Sequence, residues 1–179
     1  MQESVRIAVV SGSLNPESLS RQMAQYAANS LDALGAQFDF IDLQEVRLPL
    51  CDGDTAYSHP EVERTRSRIE AVAGILVAAP VYNFDMNAAL KNLVELTGSA
   101  WEGKVVGFLN AAGGDTSYMS VMSMASSLML DFRCVIVPRF VYATGSAFRD
   151  GAVSDRKVAG RIDELARELV RFAKSLAKP

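Results

Sequence analysis

Short apolar or β-branched runs punctuate the chain at residues 5–10, 38–41, 74–79, 105–110 and 135–137, each bounded by turn-forming residues, and each reads as a β-strand. Between and after them apolar positions recur at helical spacing. The clearest case is Val158, Ile162, Leu165, Leu169, Phe172 and Leu176, a single stripe with Arg161, Glu164, Arg167, Glu168 and Arg171 on the other faces. Further helices are expected at about 17–34, 60–72, 87–97 and 117–131. Five strand–helix pairs whose strands are apolar throughout predict a parallel sheet covered on both faces. The expected fold is therefore an α/β three-layer sandwich with right-handed crossovers and strand order 2-1-3-4-5. No repeat, low-complexity tract or linker divides the sequence, so residues 1–179 are expected to form one domain.

Composition narrows the function classes. With 179 residues, 49% of them hydrophobic, the chain can bury a core without disulfides or a structural metal. Its 18 basic and 21 acidic residues are dispersed and sum to −3, so no basic field exists to attract nucleic acid or a membrane surface. The two cysteines, Cys51 and Cys134, lie far apart with no CxxC partner or nearby histidine. Met1-Gln-Glu-Ser runs straight into an apolar stretch too short for a signal peptide, and no run reaches transmembrane length. A reducing cytoplasmic setting is expected.

In an open parallel sheet a ligand binds beyond the carboxyl ends of the strands, where the winding reverses. The loops after the first, third and fourth strands then matter most. The first carries Ser11, Gly12, Ser13, Asn15, Ser18, Ser20 and Arg21 just ahead of a helix, whose free N–H groups and positive dipole end attract an anion. It lacks the lysine of a GxxxxGK[ST] loop and the spacing of GxGxxG, so a terminal monophosphate fits better than a triphosphate or a dinucleotide. The same serines also read as turn and N-cap residues. The second loop presents Pro80, Val81, Tyr82, Asn83 and Phe84, an aromatic and an amide with exposed backbone that can border a flat heterocycle, or simply turn the strand into a helix. In the third, Gly113 and Gly114 followed by Asp115 permit close approach of main-chain amides to a ligand, or a tight turn.

Other features carry less chemistry. His59, the single histidine, reads as a loop or capping residue, and Cys51-Asp-Gly-Asp54 as a flexible turn; no metal site is expected. From Thr116 to Leu130 there is no charged residue, and Met119, Met122, Met124 and Met129 crowd that helix. Its apolar surface is either core or a homo-oligomer interface.

Taken together these segments resemble the NAD(P)H-dependent FMN reductase family, which has a flavodoxin-like fold. The segment Pro80-Val-Tyr-Asn-Phe-Asp-Met-Asn-Ala-Ala-Leu-Lys-Asn92 is similar to that family's P-x-Y-N…LKN stretch beside the flavin ring. Gly12-Ser13 with Ser18 and Ser20 is similar to its phosphate loop, and Gly113-Gly114 to its glycine pair near the ring. The resemblance implies FMN as cofactor, NADPH or NADH as reductant and a small-molecule electron acceptor such as free flavin or a quinone. It also implies a homodimer or homotetramer, through the 116–130 helix. Many quinone-reductase-like members carry arginine at the place of Asn15 and asparagine at that of Ser20. Ser20 is closer to the flavin reductases that supply a monooxygenase partner, and Arg21 stands where it can replace the missing cation. Hydride transfer needs geometry more than an acid, base or nucleophile, because the cofactor supplies the chemistry, so no catalytic side chain is expected. A ping-pong cycle is implied. The alternative is a flavodoxin-type electron carrier, which the modest −3 charge disfavours.

Overall fold

The computed structural model describes residues 5–176; residues 1–4, on which the signal-peptide expectation partly rests, lie outside them. The elements run β1 (Arg6–Ser11), α1 (Leu19–Ala33), β2 (Gln37–Asp42), α2 (Pro60–Glu70), β3 (Gly74–Tyr82), β4 (Asp85–Met86), α3 (Ala88–Thr97) and β5 (Val105–Ala112). They continue with α4 (Met122–Phe132), β6 (Val135–Ile136), β7 (Val141–Thr144), β8 (Phe148–Arg149), β9 (Ala152–Val153) and α5 (Arg156–Leu176). The sheet order β2-β1-β3-β5-β6 is the expected 2-1-3-4-5 winding, with every one of those pairings parallel.

Burial explains why these segments are strands. All eight residues of β5 are buried, as are the first seven of β3, because both faces of a central parallel strand are covered. On one side Ile7, Val9, Leu76 and Leu109 pack against Met23 and Leu31 of α1 and Ile162, Leu165 and Leu169 of α5. On the other, Val10, Val77, Val106 and Phe108 pack against Ile69, Leu90, Leu93 and Leu128 of α2, α3 and α4, around the fully buried Trp101. Trp101 donates its indole N–H to Thr97 Oγ1 at 2.8 Å, so burial leaves no indole donor unpaired.

The structure differs from the sequence expectation in four places. The fifth strand is split: β6 pairs with Val105 and Val106, the chain bulges at Pro138 and Arg139, and β7 rejoins the edge against Leu109 to Ala112. Pro138 has no N–H for a ladder, and Arg139 sits at φ 64°, outside strand geometry. The methionine-rich segment is a 3-10 stretch, Asp115–Val121, followed by α4; Ser117 at φ −95°, ψ 29° interrupts any continuous helix. Strand β3 runs two residues past Pro80 to Tyr82. The proline is tolerated because pairing to β1 ends at Ala78, leaving no donor required on that side. Finally, two short hairpins, β3–β4 and β8–β9, were not expected.

Candidate functional site

The first loop leaves β1 at Ser11 and enters α1 through Ser18, which caps the helix by accepting the Arg21 N–H at 3.3 Å. Ser18 Oγ and Ser20 Oγ are 2.8 Å apart and both residues are buried. Ser13 Oγ accepts the Asn15 N–H at 3.2 Å, and Asn15 Oδ1 the Glu17 N–H at 3.0 Å, so the loop is held open by its own side chains. Polar groups of this loop are left without a partner among the described residues. Ser11 Oγ is fully buried with no hydrogen-bond partner among the described residues. The amides of Leu19 and Ser20, in the first turn of α1, have no partner there either.

Gly12 has a different job from the one its motif suggests. A Cβ placed on it would lie 2.5 Å from both Cγ and Cδ1 of Leu90, so the bare backbone lets α3 pack directly under the loop. Asn87, just before α3, donates its Nδ2 to Gly12 O at 2.7 Å and ties the first loop to the second. Arg21 is committed: its guanidinium pairs with the buried Asp42 at 2.6 Å and also reaches Gln44 and Glu45. The cation expected to serve an anion is thus already matched by a carboxylate on the neighbouring strand, where it fastens the 42–45 loop to α1.

The second loop is the tip of the β3–β4 hairpin. Val81 pairs with Met86 and Tyr82 with Asp85, leaving Asn83 and Phe84 as a two-residue turn at φ 52° and 64°. Two left-handed residues define a type I′ turn, whose twist matches that of the strands it joins. Asparagine tolerates this region; an aromatic side chain there costs roughly 1–2 kcal/mol. Asp85 accepts a short hydrogen bond from Ser123 Oγ, pinning the hairpin to α4. Tyr82 and Phe84 are 54% and 56% exposed. A cleft of about 520 Å³ opens beside them, lined by Tyr82, Asn83, Met86, Lys91, Ser123 and Met124 among others.

The third loop follows β5. Pro80 and Ala111 are in register, so Gly113 and Gly114 leave the carboxyl end of the strand next to β3. A Cβ on either glycine would meet nothing within 4 Å, so this wall is bare and open. Tyr142 donates to Gly114 O and, with Tyr118 and Phe140, forms a ring cluster behind it, centroids 4.6 and 5.8 Å from Tyr118. Asp115 opens the 3-10 stretch.

The structure therefore brings Ser11, Ser13, Asn15, Ser18 and Ser20 together on one loop, and Pro80 to Phe84 with Gly113 to Asp115 on neighbouring strand ends. Sequence reasoning missed Asn87 as the tie between loops, and Asn110. The latter is fully buried on β5 with neither side-chain polar atom partnered among the described residues. The signal was available, since a lone asparagine in an otherwise apolar central strand is costly unless something pairs with it. No cluster of metal-ligating side chains occurs among the described residues.

A serine-rich loop ahead of a helix, an aromatic hairpin tip and a pair of bare glycines all lie at the carboxyl edge of a 2-1-3-4-5 sheet, and the fold is flavodoxin-like. Solved structures agree on the fold: an apo NADH:FMN oxidoreductase superposes with TM-score 0.80 at 18% identity, covering 94% of this chain and 90% of that one. A flavoenzyme NAD(P)H:(acceptor) oxidoreductase from Paracoccus denitrificans superposes at 0.79 and 21% identity, covering 96% and 98%. The sequence model described as NADPH-dependent FMN reductase matches residues 5–149, and the chain belongs to that family. Among curated relatives, a 2-hydroxy-1,4-benzoquinone reductase of Burkholderia is 36% identical over 104 residues, 58% of this chain and 55% of that protein. An NADPH:quinone oxidoreductase of Arabidopsis thaliana is 27% identical over 93% of this chain and 87% of its own length.

Proposed function

We propose that the chain is an NAD(P)H-dependent FMN oxidoreductase that passes electrons from a nicotinamide nucleotide to a small-molecule acceptor, a quinone or free flavin, in a ping-pong cycle. The observation that carries this reading is the orphaned, fully buried Ser11 hydroxyl at the start of the loop whose Ser18–Ser20 pair opens α1. These residues suit a terminal monophosphate, which needs hydroxyl and amide donors and a helix dipole rather than a lysine.

The chain's own residues would act as follows. Ser11, Ser13, Ser18 and Ser20 with the free amides of α1 hold the phosphate, and Asn15 shapes the loop. The main chain of Pro80, Val81, Tyr82, Asn83 and Phe84 borders one edge of the ring, and Gly113, Gly114 and Asp115 allow backbone donors to approach the other. Arg21 acts indirectly, by fixing the entry to α1 through Asp42. FMN held there would supply the redox chemistry of hydride uptake and electron release. The protein would contribute the positioning of the two reacting rings.

Assembly belongs to the same reading. Tyr118, Met119, Met122, Met129 and Leu130 are all at least 40% exposed on the 116–130 segment, while Met124, Ala125 and Leu128 face the core. That outward apolar side supports a homodimer or homotetramer. Two free cysteines fit a reducing cytoplasm, and Ser20 fits a reductase that serves a monooxygenase. No helix among the described residues is long and apolar enough to cross a membrane.

Anaerobic stopped-flow absorbance of the FMN-reconstituted protein mixed with NADPH, and separately with NADH, tests the proposal. Saturable bleaching at catalytic rates supports it and selects the nucleotide. Tight FMN binding without reduction by either would make the chain an electron carrier.

A further inference from the structure

The β8–β9 hairpin turns through Asp150 and Gly151, at φ 51° and 76°. This is the same two-residue type I′ turn as Asn83-Phe84, built from residues that favour it. At the site the chain instead places a phenylalanine where glycine belongs, at φ 64°. The fold gains little in return, because the side chain is 56% exposed. Neither local propensity nor burial accounts for it, and strain of this kind, kept in place by surrounding structure, is concentrated at working sites. Here the surroundings do keep it: the β3–β4 ladder holds one end of the turn and the Asp85–Ser123 bond pins the other to α4. Phe84 is thus a rigidly mounted exposed ring. With the equally exposed Tyr82 it stands on the hairpin whose Tyr82 and Asn83 line the cleft of about 520 Å³.

We propose that Phe84 is a specificity-determining residue for the electron acceptor, docking flat aromatic acceptors by ring contact over the open face. This rests on the reading of the site as a flavin site. Aromatic contact favours planar π systems and gives nothing to a small inorganic oxidant.

The test uses FMN-loaded F84G and F84N, both compatible with a left-handed turn, with F84Y as the conservative rescue. Acceptors are a water-soluble sulfonated naphthoquinone and ferricyanide. Expected for F84G and F84N is unchanged or raised stability to urea, because both residues suit the left-handed turn. The KM for the naphthoquinone should rise about tenfold at similar kcat, with ferricyanide kinetics within twofold of wild type and F84Y close to wild type. Equilibrium binding of the oxidised naphthoquinone, followed by calorimetry without reductant, should weaken by the same factor. Unchanged naphthoquinone binding overturns the assignment, and so does a loss shared equally by ferricyanide. Wild-type protein that takes up no FMN defeats the functional reading itself, an outcome distinct from FMN uptake with indifferent variants.

Discussion

Replacing Gly12 by alanine probes the position where α3 packs against the proposed phosphate loop. The added Cβ would fall 2.5 Å from Leu90 Cγ and Cδ1, whereas carbon atoms pack at about 3.5–4.0 Å, so an ångström or more must be opened. Leu90 is 1% exposed and belongs to one buried cluster with Val10, Val77 and Leu93, so close packing opposes a new rotamer and passes the clash on to α3. Overpacking of this order costs about 1–3 kcal/mol, offset by roughly 0.4–1 kcal/mol from a less flexible unfolded chain, since Gly12 is not in the left-handed region. A net loss of about 1–2 kcal/mol is expected, a fall of roughly 5 °C in Tm for a chain of this size. Urea unfolding followed by the fluorescence of Trp101, the single tryptophan and fully buried, would read it. The cost should fall toward zero in a Leu90→Ala background, giving a coupling energy of at least about 1 kcal/mol in the double-mutant cycle. Because Asn87 is bonded to Gly12 O, G12A should also weaken FMN binding beyond what stability alone explains. An equal cost in both backgrounds would refute the clash as its origin.

Three further expectations follow from single contacts. Ser18→Ala removes both the cap on Arg21 N and the partner of Ser20 Oγ, and should cost about 1 kcal/mol of stability and about tenfold in FMN affinity, read by urea melts and flavin fluorescence titration, with Ser18→Thr largely retaining both. The bidentate hydrogen bonds from Arg68 hold the Asp39 carboxyl below its ordinary value, so this pair stabilises the fold above the unfolded carboxylate range near ~3.9 and loses that contribution as pH falls through the depressed folded value. Asp39→Asn should accordingly be less stable than wild type at pH 7, with the gap closing below about pH 4; a gap constant with pH would remove the ion pair as its cause. Burial pushes the Cys134 thiol up to about 11 while Cys51 is only half-buried, so a disulfide reagent should titrate one thiol in the native protein and the second only after unfolding.

How much of this was legible in the sequence depended on the range over which each feature is decided. Strands β1, β3 and β5 and the stripe of α5 were readable because burial on both sheet faces, or on one helix face, imposes a local pattern. The split of the fifth strand was partly readable, since Pro138 interrupts an apolar run that resumes at Val141. The β8–β9 hairpin carried a short-range signal in Asp150-Gly151 that a search for strand–helix pairs passes over, whereas Asn83-Phe84 carried none, because phenylalanine does not announce a left-handed turn.

The site shows the same division, and its residues fail in opposite directions. The serines of the first loop stood out because capping and anion binding ask for the same small polar side chains, and that shared demand is why sequence alone left the two readings open. Arg21 was found as a charge but not as a pair, since Asp42 reaches it only once β2 lies beside β1. Gly12 is the sharpest instance. Glycine in a ligand loop invites an argument from backbone freedom, but its backbone here needs none. What excludes a side chain is Leu90, brought underneath by the packing of a helix that follows another strand. A pattern of residues records that glycine is required and cannot record whether φ or clearance requires it. Only the second reading predicts that shortening Leu90 would make alanine acceptable at position 12.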